Sequence, residues 1–503
     1  MHGKHLAAAF IAAIVTLVAS THTAHAVYLN PRGMGQVLLY PYYTVNAHQN
    51  TLISVANATD IGKVVNLRFR EGYNGRDVLN FNVYLSPYDV WTAAVFDLSD
   101  ADLDSDGAGI LSSDNSCIGG LTSGKLEQNH LPNGTAYVPF RDADYTGANA
   151  DGGPTGIERT REGHFEMIAM GDIVPQSALY RAVSHINGVP PNCSQAQQFA
   201  TQTGSLQPPT SGLYGSAAIV NVANGTYFTY HADALEGFTS TIFPVSDGSG
   251  PTLADVNDAG APNTVTAQVN SHGTSVAAVY PAARAIDAVS AVLDAATVFN
   301  EWQAQPDGSV GSDWVVSFPT KQFYVDPLHN GGNADAVAPF DYGFNQLVGL
   351  PGTACVVAGF NLFDRNENVT DPFFCGFSTC PPPPLNTLCF ETSVIAFAGP
   401  SILHSNLVRM VGTSGMTAGS LGLSFTDIAH SGNIGGINRA SLPAHAMRPD
   451  NSGTVFYGLP ITGFEAINFV NGNLGGVLAN YSGVNRMNTT ACFDTTSTAG
   501  DCR

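Results

Sequence analysis

The sequence predicts a mainly β protein, made of immunoglobulin-like β-sandwich modules with long Gly/Asp-rich loops and one amphipathic helix. Three observations predict this class. Hydrophobic residues make up 44 % of the 503 residues and charged residues only 12 %, which excludes a disordered chain and disfavours long, salt-bridged helices. The 53 glycines and 29 prolines are typical of short strands joined by turns. Polar and apolar residues also alternate in several stretches, as they do in strands.

Residues 1–26 have the pattern of an export signal. Lys4 precedes a nearly wholly apolar run over 6–18, and Ala24-His25-Ala26 supplies the small residues at which signal peptidase cleaves. The run is shorter than the roughly 20 residues that span a bilayer, and no later segment stays apolar for that length. We therefore expect an exported protein without stable membrane insertion.

Residues 27–97 carry the clearest strand pattern and are predicted to form a β-sandwich segment. VLNFNVYL alternates apolar and polar residues, and Trp91 is expected in the core. Asn74-Gly75 favours a tight hairpin turn that pairs this stretch antiparallel with the preceding one. That preceding stretch, VVNLRFRE, predicts a strand with one buried side (Val65, Leu67, Phe69) and one solvent-facing side (Asn66, Arg68, Arg70).

Five stretches stand out along the chain: NPRGMGQVLLYPYYTVN, TLISVANAT, LNFNVYLSPYDVWTAAVF, DWVVSFPTKQFYVDP and GLPITGFEAINFVNGNLGGVLANYSG. Together they resemble a group of secreted proteobacterial β-rich proteins of unknown function, and the likeness extends over most of the chain. The resemblance implies export, with a location in the periplasm, outside the cell or on the surface of a Gram-negative bacterium. It implies no activity and no catalytic or binding residue.

Composition divides the rest of the chain into three segments. Residues 98–163 are rich in Asp, Gly, Ser and Asn, which predicts an acidic loop excursion at the surface. Residues 164–330 are predicted to form a second β-rich region. Residues 331–503 are predicted to form a Cys/Gly-rich β region that ends in a tail.

One amphipathic helix is predicted over 282–302. Pro281 suits a first turn and Pro306 a stop, with apolar residues three and four positions apart between them. The polar side of this helix is expected to face solvent and carries Asp287, Asp294 and Glu301. The apolar side is expected to pack on a sheet and carries Ile286, Val289, Val292, Leu293, Ala296 and Phe299.

Eight cysteines in a chain with an export signal indicate disulfides. Connectivity stays open, because eight cysteines allow 105 pairings. A zinc site over 355–389 is the alternative, but this stretch contains neither C-x-x-C nor histidine. Spacing favours four pairs: Cys117 with Cys193, Cys355 with Cys389, Cys375 with Cys380, and Cys492 with Cys502.

A calcium site is the only cofactor that the sequence suggests. Asp102, Asp104 and Asp106 occupy alternate positions before Gly107, the spacing at which carboxylates converge on Ca²⁺ in a tight loop. The bidentate acid of a regular EF-hand is missing, because Ser113 occupies that position. The stretch therefore predicts either a loose calcium loop or a solvated acidic turn.

Charge and motifs exclude other classes of protein. The net charge of −21 and the scattered basic residues exclude nucleic-acid binding, which needs clustered Lys and Arg. The sequence contains no G-x-S-x-G, H-E-x-x-H or Walker motif. No catalytic residue is therefore assigned, and the sequence leans away from an enzyme.

Two function hypotheses follow. The first is a secreted or cell-surface, non-enzymatic protein for interaction, adhesion or assembly, with a protein or polysaccharide surface as its partner and calcium as a stabiliser. The alternative is a secreted hydrolase that acts on polysaccharide through an unrecognised carboxylate pair. Aromatic residues of β-sandwiches mostly pack in the core, but a sugar-stacking platform is the alternative for Tyr28, Tyr40, Tyr42, Tyr43, Trp91, Trp302 and Trp314.

Overall fold

The computed structural model describes residues 26–119, 129–244, 250–271, 273–344, 346, 352–367, 369–370, 387–426 and 445–495. The export signal predicted for 1–26 lies outside the described residues except for Ala26. Cys375, Cys380 and Cys502 also lie outside them. Among the described residues, no helix has both the length and the apolar character needed to cross a membrane.

The first body is a sandwich of two antiparallel sheets. Its strands β1 to β15 are Tyr28–Leu29, Val37–Thr44, Asn50–Asn57, Lys63–Glu71, Asp77–Leu85, Val90–Asp97, Ala108–Leu111, Cys117–Gly119, Asn129–His130, Ala136–Pro139, Glu162–Ile173, Leu206–Gln207, Leu213–Asn221, Thr226–His231 and Asp233–Glu236. One sheet has the strand order β1-β15-β2-β11-β4-β5-β8, with β12 paired to β11. The other sheet has the order β14-β13-β3-β6-β7-β10-β9.

The core of this sandwich follows from the alternation in its strands. Phe69, Trp91 and Phe165 lie in one buried apolar cluster between the sheets, and β4 pairs antiparallel with β5 as predicted. The mainly β prediction is confirmed. The strand order does not specifically identify an immunoglobulin-like sandwich, so that narrower assignment stays a prediction.

The sandwich continues past the segment boundary drawn at residue 97. β7 and β10 extend one sheet, and β8 pairs with β5 at the edge of the other. Ile110 and Val138 are fully buried in the common core. Residues 98–163 therefore contribute strands to both sheets and are not a plain loop excursion. Short apolar stretches such as Ala108–Leu111 are hidden when composition is averaged over a polar segment.

The second body contains the strands β16 to β33, which are Thr264–Ser271, Thr274–Pro281, Asp294–Ala295, Thr297–Gln303, Val310–Ser317, Val356–Val357, Gly359–Asp364, Val369–Thr370, Thr387–Leu388, Thr392–Phe397, Val408–Val411, Ala418–Ser424, Val455–Tyr457, Leu459–Pro460, Thr462–Leu474, Val477–Arg486, Asn488–Thr490 and Cys492–Asp494.

Two five-stranded sheets form this body, with the strand orders β23-β22-β27-β19-β32 and β26-β25-β20-β30-β31. Between them the ring of Trp302 packs parallel to that of Phe397, with 5.4 Å between the ring centroids, and Trp314 packs edge-on to Phe397. A hairpin of β16 and β17 packs against this core.

The described helices are short. The α-helices α1 to α4 are Ala178–Val183, Ala196–Ala200, Ala285–Val292 and Gln322–Val325. Single 3₁₀ turns span Asn46–His48, Ser99–Ala101, Gly147–Asn149, Ile157–Arg161, Cys193–Gln195, Leu253–Asp255 and Ala282–Arg284.

The helix predicted over 282–302 is wrong beyond Val292. The chain continues as strands β18 and β19, and β19 pairs with both β27 and β32. In β19 the buried Val298, Asn300 and Trp302 alternate with more exposed neighbours. This period of two, together with two strand partners, outweighs the helical spacing of the preceding apolar residues.

The polar residues of the predicted helix do not share a solvent-facing side. Asp287 and Asp294 are buried, whereas Glu301 is exposed. Asp287 accepts a hydrogen bond from the hydroxyl of Tyr324 at 2.8 Å and pairs with Arg448. The prediction fails here because residues from outside the helix cover its polar side.

The polar side of β4 is also buried, against the prediction of a half-exposed strand. Asn66, Arg68 and Arg70 are at most 6 % exposed. Arg68 donates to the carbonyl oxygen of Gly250, and Arg70 donates to Gln322 at 2.9 Å. The segments that cover this side are distant in sequence, so local periodicity carries no sign of them.

The turn between β4 and β5, residues 71–76, joins the two bodies. The amide of Thr392 donates to the carbonyl oxygen of Gly72 at 2.9 Å. The amide of Glu391 donates to the carbonyl oxygen of Tyr73 at 3.1 Å. The second body therefore covers this turn. The turn is also longer than the two-residue hairpin that Asn74-Gly75 predicts, because the last strand pair before it joins Arg70 to Asp77.

Buried ion pairs surround this turn. Glu71 accepts two hydrogen bonds from Arg159, at 2.8 and 2.9 Å. Arg76 lies with its Nε 2.9 Å from Oδ2 of Asp326, across the junction between the bodies. A buried charge is costly unless an opposite charge and hydrogen bonds compensate it. The Glu71–Arg159 pair lies within the first body, whereas Arg76 and Asp326 compensate each other only while the two bodies stay docked.

Arg76→Met tests the junction. We expect a free energy of unfolding lower by about 3 to 5 kcal/mol, because the fully buried carboxylate of Asp326 loses its partner. Urea unfolding followed by tryptophan fluorescence measures the change. The exposed Arg141 supplies the control, since Arg141→Met should change stability by less than about 0.5 kcal/mol. Equal stability of the two variants would contradict the role given to Arg76.

Candidate functional site

The structure joins Cys117 to Cys193 and Cys355 to Cys389. These are two of the pairs that the cysteine spacing favours. Cys492 is also disulfide-bonded, and its predicted partner Cys502 lies outside the described residues. Zinc is excluded for Cys355 and Cys389, because zinc binds thiolates and these sulfur atoms are bonded to each other.

The structure does not bring the predicted calcium ligands together. Asp102, Asp104 and Asp106 are each exposed. Across the described ranges, no group of three His, Cys, Asp or Glu side chains is arranged to hold a metal ion. Calcium binding by this loop stays a prediction.

Calcium binding predicts a melting temperature that falls in chelator and rises in millimolar Ca²⁺, because a ligand held only by the folded state stabilises it. Differential scanning fluorimetry measures the shift. Asp104→Ala should remove the response, and Asp60→Ala, at an exposed position in a different turn, should keep it. If the melting temperature does not respond to Ca²⁺, the stretch from Asp102 to Asp106 is only a solvated acidic turn.

Residue types suited to catalysis lie buried near the junction. Burial raises the pKa of Glu391 well above its usual range and lowers the pKa of Lys321 to about 8. Burial, helped by Arg70, lowers the pKa of His164 to about 3, so this histidine is neutral. None of the three lines any of the three cavities described below.

The aromatic residues considered as a sugar platform lie mostly in the cores. Tyr28 is partly exposed. The remaining six are at most 1 % exposed and pack inside the bodies: Tyr40, Tyr42, Tyr43, Trp91, Trp302 and Trp314. They cannot stack on a ligand at the surface.

The two bodies meet at a seam where β14 of the first lies beside β31 of the second. The amide of Tyr227 donates to the hydroxyl of Ser482 at 2.9 Å, and Asn480 donates to the carbonyl oxygen of Asn224 at 2.7 Å. Next to these bonds, Gly225 faces Leu478 so closely that a Cβ atom would come within 2.5 Å of its side chain. The seam is therefore a tight contact between strands of different bodies.

One end of the seam carries an exposed apolar patch. The β30–β31 hairpin projects there, and its turn is Gly475-Gly476, with φ of 63° and 91°, as a tight hairpin requires. No residue between Glu465 and Arg486 is charged. The patch consists of side chains on both faces of this hairpin and on the adjoining end of β14 that are 41 to 82 % exposed: Val222, Tyr227, Val470, Leu474, Val477, Leu478 and Tyr481. Leu474, Val477 and Tyr481 share the face that points away from the first body.

The other end of the seam carries a groove made of two adjoining cavities. Their volumes are about 620 and 260 Å³, and both are lined by Pro31 and Arg486. Asp233 lines the larger cavity and Asp294 the smaller. A third cavity of about 400 Å³ lies on the outer face of the β14-β13-β3-β6 sheet and is lined mainly by small side chains, including Ser54 and Ala218.

Burial shifts both acids of the groove in the same direction. It raises the pKa of Asp233 to about 6, against the opposing effect of Arg486, whose Nη2 lies 3.4 Å from the carboxylate. Burial raises the pKa of Asp294 well above its usual range. Both acids therefore favour the protonated form more than an exposed aspartate does.

The sequence analysis missed the patch and the groove. Gly475-Gly476 between two strand patterns is a hairpin signal, but it does not show that the hairpin projects into solvent. Helical spacing assigns Asp294 to a solvent-facing side, whereas it is buried in β18, and Asp233 carries no motif. Both sites combine residues more than 240 positions apart, which only the docking of the bodies brings together.

Comparisons with family models, with curated proteins and with solved structures found no match for this chain. What the fold and the seam define is a mainly β protein of two docked sandwich bodies, with an apolar patch and a polar groove along their contact. The function is therefore argued from these two features.

Proposed function

We propose that this chain is an exported, non-enzymatic β-rich protein that assembles with a second copy of itself through the apolar patch. The patch carries this proposal, because a cluster of exposed apolar side chains at one end of a molecule marks an interaction surface. Its occupant buries Leu474, Val477 and Tyr481, which share one face of the hairpin and are 62 to 67 % exposed in the single chain.

Charge restricts where a second copy can bind. The chain has a net charge of −21, so most approaches between two copies meet electrostatic repulsion. The hairpin between Glu465 and Arg486 is uncharged and avoids this repulsion. In a two-fold symmetric dimer, the patch of one copy would contact the patch of the other copy. Most homodimers use the same surface on both subunits in this way.

The disulfides support export. Bonds such as Cys117–Cys193 and Cys355–Cys389 persist in oxidising compartments and are rare in the cytosol of mesophiles. Together with the signal pattern in 1–26, they favour a location in the periplasm, outside the cell or on its surface. A calcium loop at Asp102, Asp104 and Asp106 would add stability to such a protein.

Leu474→Asp tests assembly. We expect the variant to remain monomeric at concentrations at which the wild type dimerises, because a carboxylate would be buried without a partner. Sedimentation velocity over a concentration series measures the dissociation constant, which should rise at least tenfold. Leu328→Asp is the matched control, since Leu328 is also 63 % exposed but lies outside the patch. A monomeric wild type at all concentrations would contradict the proposal.

A polysaccharide hydrolase is the second candidate. Glycoside hydrolysis needs a carboxyl group with a raised pKa as its general acid, and Asp233 lines the larger cavity with a pKa that burial raises to about 6. The test is release of reducing ends from neutral polysaccharides. If this candidate is correct, Asp233→Asn should lower the rate of reducing-end release at least a hundredfold. Asp60→Asn should leave this rate unchanged. Absence of release by the wild type would reject the candidate.

A further inference from the structure

We infer that the larger cavity of the groove is a binding site for a small organic anion, namely a ring that carries one carboxylate, sulfonate or phosphate group. The anionic group pairs with the guanidinium groups of Arg32 and Arg486, and the ring packs on the apolar part of the lining. This inference is independent of self-assembly, because the apolar patch lies at the opposite end of β14 and β31.

The cavity has the size and the access that a small ligand needs. Its volume of about 620 Å³ lies within the range of about 300 to 1,000 Å³ that ligand sites occupy. The side chain of Arg486 is 66 % exposed and that of Asp233 is 22 % exposed. The charged groups of the lining are therefore within reach of a dissolved ligand.

A hydrogen-bonded turn holds Arg32 at the cavity. The backbone amides of Arg32 and Gly33 both donate to Asn30 at 3.0 Å, one to its side-chain oxygen and the other to its carbonyl oxygen. The side-chain amide of Asn30 donates to the carbonyl oxygen of Met34 at 2.6 Å. The guanidinium group of Arg32 itself makes no hydrogen bond or ion pair with a residue that the structure describes. It is thus a positioned cation that can bind an oxyanion.

Arg486 supplies the second guanidinium group of the cavity. Within the described part of the chain, its one ion pair is with Asp233, at 3.4 Å. Arg159, by contrast, is buried and pairs with both Glu71 and Asp151. A guanidinium group has five N–H donors, so Arg486 keeps donors for a bidentate contact with a carboxylate, sulfonate or phosphate group.

The lining is positively charged, although the chain has a net charge of −21. Arg32, His231 and Arg486 line the cavity, and Asp233 is the one acid among the described residues that line it. Two guanidinium charges therefore face one carboxyl group. Salt screens distant acids over about 10 Å, so these nearby charges dominate for a ligand inside the cavity. The excess of positive charge selects an anion over a neutral or cationic ligand.

The apolar part of the lining suits a ring. Tyr214 is 48 % exposed and Met34 is 37 % exposed, and both line the cavity. Below them the rings of Tyr230 and Phe464 stack with 4.6 Å between their centroids. An aromatic ligand can stack on the exposed ring of Tyr214 and contact the thioether of Met34.

Asp233 makes the affinity depend on pH. Burial raises the pKa of this acid to about 6, and protonation removes its negative charge and turns it into a hydrogen-bond donor. An anion therefore binds more tightly as the pH falls from 8 towards 6. His231 acts in the same direction, because its protonated ring attracts the anion. Glu236 of β15 does not line the cavity and accepts a hydrogen bond from Ser211 at 2.5 Å.

The experiment measures the Kd of the full mature chain by calorimetry for four naphthalene probes that differ only in their polar group. Three probes are anions: 2-naphthoate, 2-naphthalenesulfonate and 2-naphthyl phosphate. The fourth, 2-naphthamide, is neutral. We expect at least one anionic probe to bind at least tenfold more tightly than the amide, and the strongest of the three identifies the anionic group that the site prefers. Added salt should weaken this binding, because it screens the guanidinium charges.

Variants locate the probe. Arg32→Gln and Arg486→Gln, both at exposed positions, should each raise the Kd of the strongest anionic probe at least fivefold. Arg141→Gln is the matched control, because Arg141 is exposed and lies outside the cavity, and it should leave the Kd unchanged. The melting temperature of each variant checks that it is folded.

Asp233→Asn gives a readout in the opposite direction. It should lower the Kd at pH 8 at least threefold, because it removes the like charge from the site. A substitution that only damaged the fold would not strengthen binding. Leu474→Asp should bind the probe as the wild type does, so a failure of self-assembly is separable from a failure of anion binding.

Three results would overturn the inference. The first is that no anionic probe binds more tightly than 2-naphthamide. The second is a Kd that is the same for the wild type, Arg32→Gln and Arg486→Gln, because the probe would then bind outside the cavity. The third is that Asp233→Asn binds the anion no more tightly than the wild type at pH 8.

Discussion

The docking of the turn at residues 71–76 into the second body is the constraint on which the rest of the structure depends. This turn presents backbone carbonyl groups to Glu391 and Thr392 and a guanidinium group to Asp326. Separation of the bodies would break both backbone hydrogen bonds and the ion pair between Arg76 and Asp326. The two charges would then have to be solvated by water or remain without a partner. Hydrophobic packing also crosses the junction, because each of the two large apolar clusters contains residues of both bodies, such as Val37 with Trp314 in one and Phe69 with Phe464 in the other. The directional hydrogen bonds and the ion pair of the turn add a specific alignment to this packing.

The seam is a consequence of that docking. β14 and β31 belong to different bodies, and their contact creates the apolar patch at one end and the groove at the other. Asp233 reaches the groove from the first body, and Asp294 and Arg486 reach it from the second. The groove therefore exists only in the docked molecule, whereas five of the seven side chains of the patch belong to the β30–β31 hairpin of the second body.

Burial alone does not identify a functional polar residue in this protein. His164, Lys321 and Glu391 are of types that catalyse reactions elsewhere, but they line none of the three described cavities. Asp294 is as deeply buried, and its carboxyl oxygens, like those of Glu391, make no hydrogen bond of normal geometry, but it lines a cavity. Burial raises the pKa of Glu391 and of Asp294 alike, so only the neighbouring cavity distinguishes the two acids.

The sequence by itself determined the mainly β class, the pairing of β4 with β5 and the core position of Trp91, because alternating residues and turn residues act over a few positions. Its cysteine spacing also favoured the pairs of Cys117 with Cys193 and of Cys355 with Cys389. Only the tertiary structure decided that Arg68 and Arg70 are buried, that the helix ends at Val292, and that a seam carries a patch and a groove. The physical reason is that periodicity distinguishes the two sides of an element, whereas the segment that covers a side comes from hundreds of residues away.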